Sequence, residues 1–196
     1  MEELKPLEQV TEPDFRNSIR RITLPLLHRI ANETHLSATV PANVQSQFAI
    51  AKNAYVYSWF YYPFQTVALL FSFLAIELAL SIRVREANQE MFDSAREPTL
   101  YPLLRYALQQ RWLLDDGFDL EARGDLAVSE KIAKQYPNIP RDQRYSYNLL
   151  DVLVGLRNDL AHGELMIGPG MGPLLARGAE LINQLFPTPG GKSLQV

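Results

Sequence analysis

The sequence contains no cysteine among its 196 residues. Such a chain can form neither disulfides nor cysteine-ligated zinc sites, and it has no thiol nucleophile. The acidic N-terminal stretch "MEELKPLEQVTEPDF" also lacks the basic flank and apolar run of a secretory signal. Both absences are typical of a reducing compartment, and we therefore expect a cytoplasmic protein.

An excess of positive charge is also missing. The net charge of −3 and the isoelectric point near 5.7 exclude a generally basic nucleic-acid coat, so that any contact with phosphate must come from a local patch. One basic group of arginines lies near the N-terminus, at Arg16, Arg20, Arg21 and Arg29. Two interpretations stay open for these arginines: a solvated helix face or a set of phosphate contacts.

Motifs for metals and cofactors are absent as well. The three histidines, His28, His35 and His162, are scattered and form no H-E-x-x-H pattern. "PGGKS" near the C-terminus lacks the earlier glycine and the following helix of a P-loop, and no G-x-S-x-G occurs. We therefore expect no metal and no cofactor.

Hydrophobic spacing is helical through most of the chain, and no stretch alternates convincingly as a strand would. The pattern predicts an all-α fold, an up-and-down helical bundle with extra N-terminal helices. We expect an N-terminal helical extension over residues 1–40, the bundle over 41–186 and a flexible tail over 187–196. The expected helices cover residues 14–23, 26–33, 42–62, 63–88, 99–114, 126–136, 143–162 and 173–186, with Pro63 introducing a break.

Two apolar features sit next to each other in the sequence. The run from Thr66 to Ile82 is almost long enough to span a bilayer, but Glu77 lies within it, so a helix buried between protein surfaces is expected and no membrane contact. Before it comes an aromatic cluster, which could stack on nucleic-acid bases but is more typical of a core or subunit interface. Its members are Tyr55, Tyr57, Trp59, Phe60, Tyr61, Tyr62 and Phe64.

The helix expected over residues 143–162, with Asp142 as N-cap, combines a leucine stripe with a polar face. At about 100° per residue, the leucines fall on one side, which predicts that they face the core. His162 projects to the opposite side, near Gly155 and Asn158, and Arg157 lies at the flank of the stripe. A glycine in a helix costs about 1 kcal/mol relative to alanine, and it lets another backbone or a ligand come close. The stripe consists of Leu149, Leu153, Leu156 and Leu160.

The segment "RNDLAH", from Arg157 to His162, resembles the R-x4-6-H signature of HEPN domains, helical modules named for higher eukaryotes and prokaryotes nucleotide-binding. In that family the motif lies near the end of a late amphipathic helix that follows a long apolar helix. The resemblance covers roughly residues 48–186. It implies a metal-independent endoribonuclease that acts on an RNA substrate as a homodimer, and a toxin or defence effector controlled by an antitoxin or another regulatory protein.

The resemblance also implies roles for particular residues. His162 would take the proton of the RNA 2'-hydroxyl, and Arg157 would neutralise the phosphoryl oxygens. Asn158 and Asp159 could orient the imidazole or bind phosphate, or simply be solvated, and Glu77 is an acid of the type that some members bring near the site. An alternative stays open: a non-catalytic HEPN-fold module for dimerisation or for binding a nucleotide or partner. A third, a membrane-associated scaffold, rests only on the Thr66–Ile82 run.

Overall fold

The computed structural model describes residues 4–93, 96–120, 137–162 and 171–188. Within these ranges the regular structure is entirely helical, which confirms the predicted all-α bundle. Short 3-10 turns precede or connect several of the helices. The helices are α1 (Phe15–Ile19), α2 (Leu24–Glu33), α3 (Ala42–Tyr57), α4 (Phe64–Ala87), α5 (Leu100–Gln109), α6 (Arg144–His162) and α7 (Met171–Leu185).

Helix α4 is the central helix of the bundle and packs against α3, α5, α6 and α7. It is apolar and long enough to cross a membrane, with a mean hydropathy of 2.1 over its most apolar window, yet half of that window is buried inside the protein. Its buried side chains include Leu69, Phe73, Ile76 and Leu80. A buried core helix can have the same length and composition as a membrane span, so this helix is only weak evidence for a membrane contact.

Pro63 separates α3 from α4, as its sequence position predicted. Proline has no backbone donor and clashes with a preceding helical turn, so the two helices do not continue as one, and α4 begins directly after Pro63. Helix α3 ends at Tyr57 rather than at the expected residue 62, because the chain passes into tight turns at residues 58–61. The two helices share the largest interface in the fold. The aromatic cluster lies at this joint and divides between inside and outside: Tyr55 and Tyr62 are buried, whereas Tyr57 and Phe64 are exposed.

The N-terminal segment does not form a separate unit. Leu27 and Ala31 of α2 are buried in the same core as the bundle helices, and α2 packs on α3 and α7. Helix α1 is shorter than expected, because the chain turns at Arg21, whose φ of 54° lies in the left-handed region. The segment over residues 1–40 is therefore an extension in sequence but shares the core of the bundle.

Helices α5 and α6 also differ from the sequence expectations at their ends. Helix α5 ends at Gln109 rather than at residue 114, since the chain turns at Arg111, whose φ is 57°. Asp142 was the expected N-cap of α6, but its carboxylate accepts a hydrogen bond from Arg111. The helix expected over residues 126–136 and most of the tail expected over 187–196 lie outside the described residues.

A carboxylate from a distant segment caps α6. Asp115 accepts from the backbone amides of Tyr145 and Ser146 at 2.9 and 2.8 Å, and from the Ser146 hydroxyl at 2.7 Å. Burial raises the pKa of the Asp115 carboxyl, and the hydrogen bonds from Ser146 oppose this rise. Gln143 adds two bonds, from its Nε2 to the carbonyls of Leu108 and Leu113, both at 3.0 Å. The end of α5 thus fixes the start of α6.

Candidate functional site

The inward face of α6 is buried most deeply in its first half. Leu149, Leu150 and Leu153 are 8%, 6% and 6% exposed. Leu156 and Leu160 are only half-buried, although they still pack against the core. The leucine stripe therefore faces inward as predicted, but its burial decreases toward the C-terminal end of the helix, and Leu156 is not the fully buried core residue that the stripe suggested.

The outward face of α6 is fully accessible. Its exposed positions share one side of the helix, because they recur at spacings of three and four residues. His162, the last residue of α6, is among them, and so is Asn158 one turn earlier. A satisfied core histidine is thus excluded for His162. The exposed set is Asp151, Val152, Gly155, Asn158, Asp159 and His162.

Arg157 lies between these two faces and reaches across to α4. Its Nε donates to Oε1 of Glu77 at 2.9 Å, and the two side chains are 41% and 24% exposed. The fold therefore joins two residues that are far apart in the sequence and that were both predicted to belong to the site. The carboxylate binds the guanidinium through Nε, and a guanidinium has further donors that can bind an anion.

Gly155 leaves a gap in the exposed face. Among the described residues, no atom outside the backbone of α6 itself and the two residues next to Gly155 lies within 4 Å of the position that a Cβ would occupy there. Glycine is therefore not required by packing within this chain, even though it weakens the helix. Close approach of a group outside the described residues, such as a second subunit or a ligand, would explain why this position has no side chain.

Helix α4 contributes an apolar strip beside this site. Leu70 and Leu74, two turns and one turn before Glu77, are 41% and 37% exposed, although they belong to the central helix of the core. They share a helix face with Glu77 because their spacings are seven and three residues. The sequence did not predict this strip, because nearly every position of so apolar a helix could be buried. Only the neighbouring helices show which positions remain exposed. We call α4 positions Leu70, Leu74 and Glu77, together with the exposed set of α6, the α4–α6 face.

The remaining sequence candidates lie elsewhere. The Arg16 guanidinium bonds to the Asp14 carboxylate at 2.7 Å, and Arg20 bonds to the Tyr62 hydroxyl, so these two arginines serve intramolecular contacts. Arg21 and Arg29 are exposed. Among the described residues, no group of three or more histidine, aspartate or glutamate side chains is placed to hold a metal ion.

No protein-family model, no curated protein and no solved structure matches the chain. The likeness to HEPN domains accordingly rests on the six-residue motif, its position near the end of an amphipathic helix and the all-α architecture around it.

Proposed function

We propose that the protein is a metal-independent endoribonuclease of the HEPN type that acts as a homodimer in the cytoplasm. The observation that supports this most directly is the placement of the motif: His162 is exposed at the end of α6, and Arg157, five residues earlier, is partly exposed and is held by Glu77. The side chains of this histidine and this arginine can therefore both be reached by a substrate. The accessible face also contains Gly155, which leaves room for close approach.

The chemistry uses the nucleophile that RNA itself provides. His162 removes the proton of the 2'-hydroxyl, whose oxygen attacks the adjacent phosphorus. The bond to the 5'-oxygen breaks, and this oxygen leaves with a proton. The products are a 2',3'-cyclic phosphate and a 5'-hydroxyl. Arg157 stabilises the charge that grows on the phosphoryl oxygens, which a guanidinium does well through paired donors.

A second copy solves a geometric difficulty within one helix. Five residues separate Arg157 from His162, so the two side chains leave the axis about 140° apart and about 7.5 Å along it. A two-fold contact through the α4–α6 face would set two arginines and two histidines around one cleft. Leu70 and Leu74, both exposed, offer the apolar area that such a contact needs. A regulatory partner, such as an antitoxin, would act by covering the same face.

One observation favours the alternative, a non-catalytic HEPN-fold module. Glu77 already pairs with Arg157 at 2.9 Å, and a carboxylate beside the guanidinium lowers its attraction for phosphate. The deciding experiment incubates the purified protein with RNA in the presence of EDTA. We expect cleavage that leaves cyclic phosphate ends and that His162→Ala abolishes. Full activity of a folded His162→Ala protein would rule out the ribonuclease mechanism and favour the binding module.

A further inference from the structure

Helix α1 buries one of its polar residues and exposes both of its apolar ones. Asn17 is 0% exposed, whereas Phe15 and Ile19, four residues apart on one side of the helix, are 68% and 75% exposed. Surface helices of soluble proteins usually show the opposite arrangement. The reversed polarity of α1 indicates that something outside the described chain covers Phe15 and Ile19.

Hydrogen bonds hold α1 in this orientation. The Asn17 amide donates to the carbonyls of Ser58 and Trp59 at 2.9 and 3.0 Å. Asp14, which caps the helix, accepts from the backbone amide of Tyr62 at 3.0 Å. Turning Phe15 and Ile19 inward would break these buried hydrogen bonds, and each buried polar group that is left without a partner destabilises the fold. The exposure is therefore built into the fold.

A second unexplained apolar feature lies nearby, an open groove of about 720 Å³ between the N-terminal segment and the α3–α4 joint. The one cation among its described lining residues, the Lys5 ammonium, is bound to the carbonyls of Glu12 and Phe60 at 2.8 and 2.9 Å. The remaining lining is mostly apolar, and its polar groups are one threonine and the hydroxyls of two tyrosines. The lining residues are Leu4, Lys5, Val10, Thr11, Tyr57, Phe60, Tyr61 and Phe64.

The charges beside the two features are opposite. Glu8 and Glu12 are exposed on the N-terminal segment that forms one wall of the groove, and Arg20 and Arg21 are exposed at the end of α1. A groove with an acidic wall fits an apolar helix that ends in basic residues. Helix α1 has that character, with Phe15 and Ile19 spaced by about 6 Å along its axis, one helical turn.

We propose that α1 of one copy docks into the groove of a second copy, and that α1 of the second copy docks into the groove of the first. A two-fold axis makes this exchange reciprocal, so Glu8 and Glu12 of each copy meet the basic end of α1 of the other. An anionic lipid surface is a poorer occupant, because it would repel the two glutamates. This contact is separate from the α4–α6 face and does not depend on the proposed ribonuclease activity.

The first test isolates this contact from the α4–α6 face. In a protein carrying Leu70→Glu and Leu74→Glu, sedimentation velocity over a concentration series should still detect dimers. Adding Phe15→Ser and Ile19→Ser should weaken them at least about tenfold, the effect of losing one good apolar anchor. Ile50→Ser, a matched change at another exposed isoleucine on α3, should leave the dimer intact. A monomeric parent, or an unchanged dimer after the serine substitutions, would overturn the proposal.

The second test exchanges charges. One chain carries Glu8→Lys and Glu12→Lys, and another carries Arg20→Glu and Arg21→Glu, both in the same background and both checked for an unchanged melting temperature. Each alone should associate more weakly than the parent, because like charges face each other in both halves of the contact. Their mixture should restore association, since each half then pairs opposite charges. A mixture that associates as weakly as each variant alone would overturn the proposal.

A third measurement addresses the lipid alternative. Vesicles of equal parts phosphatidylserine and phosphatidylcholine should fail to co-sediment the protein. Binding to these vesicles that disappears with Phe15→Ser and Ile19→Ser would assign the apolar surface to a membrane and overturn the contact between copies.

Discussion

Glu77 and Arg157, eighty positions apart, form an ion pair at 2.9 Å that joins the middle of α4 to the last turns of α6. Arg157 belongs to the same helix as the exposed His162 and precedes it by five residues. The ion pair holds this arginine of the HEPN-like motif in a defined place, and it is accessible enough to solvent that its contribution to stability should be small. Its significance is therefore expected in activity rather than in folding.

Loss of the Glu77 carboxylate should affect activity much more than stability. Glu77→Ala should change the free energy of unfolding by about 1 kcal/mol or less, because exposed ion pairs contribute little. It should lower kcat/KM for RNA about tenfold to a hundredfold by misplacing Arg157, and Glu77→Gln, which keeps an acceptor oxygen, should recover much of this loss. Glu86→Ala removes another exposed ion pair on α4, with Arg83, and serves as the control. Equal effects of the two alanine substitutions on activity would argue against positioning by Glu77.

Replacement of the motif residues should abolish RNA cleavage without unfolding the protein. His162→Ala should cost about 10² to 10⁴ in cleavage rate, the usual effect of losing a general base. Arg157→Ala should cost about 10² to 10³, and Arg157→Lys should recover only part, because an ammonium lacks the paired donors of a guanidinium. Melting curves check that folding is unchanged. Mixing the two alanine variants, with subunit exchange verified by sedimentation, should restore some activity if the cleft is shared between copies.

Two leucines of the same stripe should differ in their importance for stability. Leu153 is 6% exposed, so Leu153→Ala should cost about 2 to 5 kcal/mol, as for other buried leucines. Leu156 is half-buried, and Leu156→Ala should cost about 1 kcal/mol, the centre of the range for ordinary substitutions. Urea unfolding of both variants measures the difference. Equal losses would mean that the C-terminal half of α6 packs more tightly than its exposure indicates.

Gly155 offers a test of the dimer face. Because open space surrounds the position of its missing side chain, Gly155→Ala should fit within one chain and stabilise α6 by up to about 1 kcal/mol. The added methyl group should instead weaken a dimer that brings another backbone to this point. Unfolding at a concentration below dissociation measures the first effect, and the dissociation constant measures the second. An unchanged dissociation constant would remove Gly155 from the contact.

Asp14 should make stability depend on pH in the acid range. Burial by itself would raise the pKa of this carboxyl, but hydrogen bonds from Arg16 and Tyr62 outweigh it and lower the pKa from 3.8 to about 2. A lowered pKa means that the ionised form stabilises the fold, by about 2 kcal/mol. This contribution is present above pH 4 and is lost as the pH falls from about 4 to about 2. Urea unfolding at pH 7 and pH 3 should show a smaller loss in Asp14→Asn than in the parent protein.

The sequence by itself determined the helical architecture, because apolar residues at helical spacing can be buried together only in helices. Pro63 likewise set the start of α4, since the geometry of proline depends on no distant neighbour. The inward direction of Leu149 and Leu153, and therefore the outward direction of His162, also followed from periodicity alone.

Only the tertiary structure decided which distant residues meet. Asp115 caps α6 in place of the adjacent Asp142, and Glu77 meets Arg157, because both pairings depend on how helices cross rather than on spacing along the chain. Helix α1 is the sharpest case, since the apolar residues of a surface helix usually face inward, as Phe15 and Ile19 would. Buried hydrogen bonds from Asn17 to the α3–α4 joint hold them outward instead, because a polar group left unpaired in a protein interior costs about 1 to 3 kcal/mol.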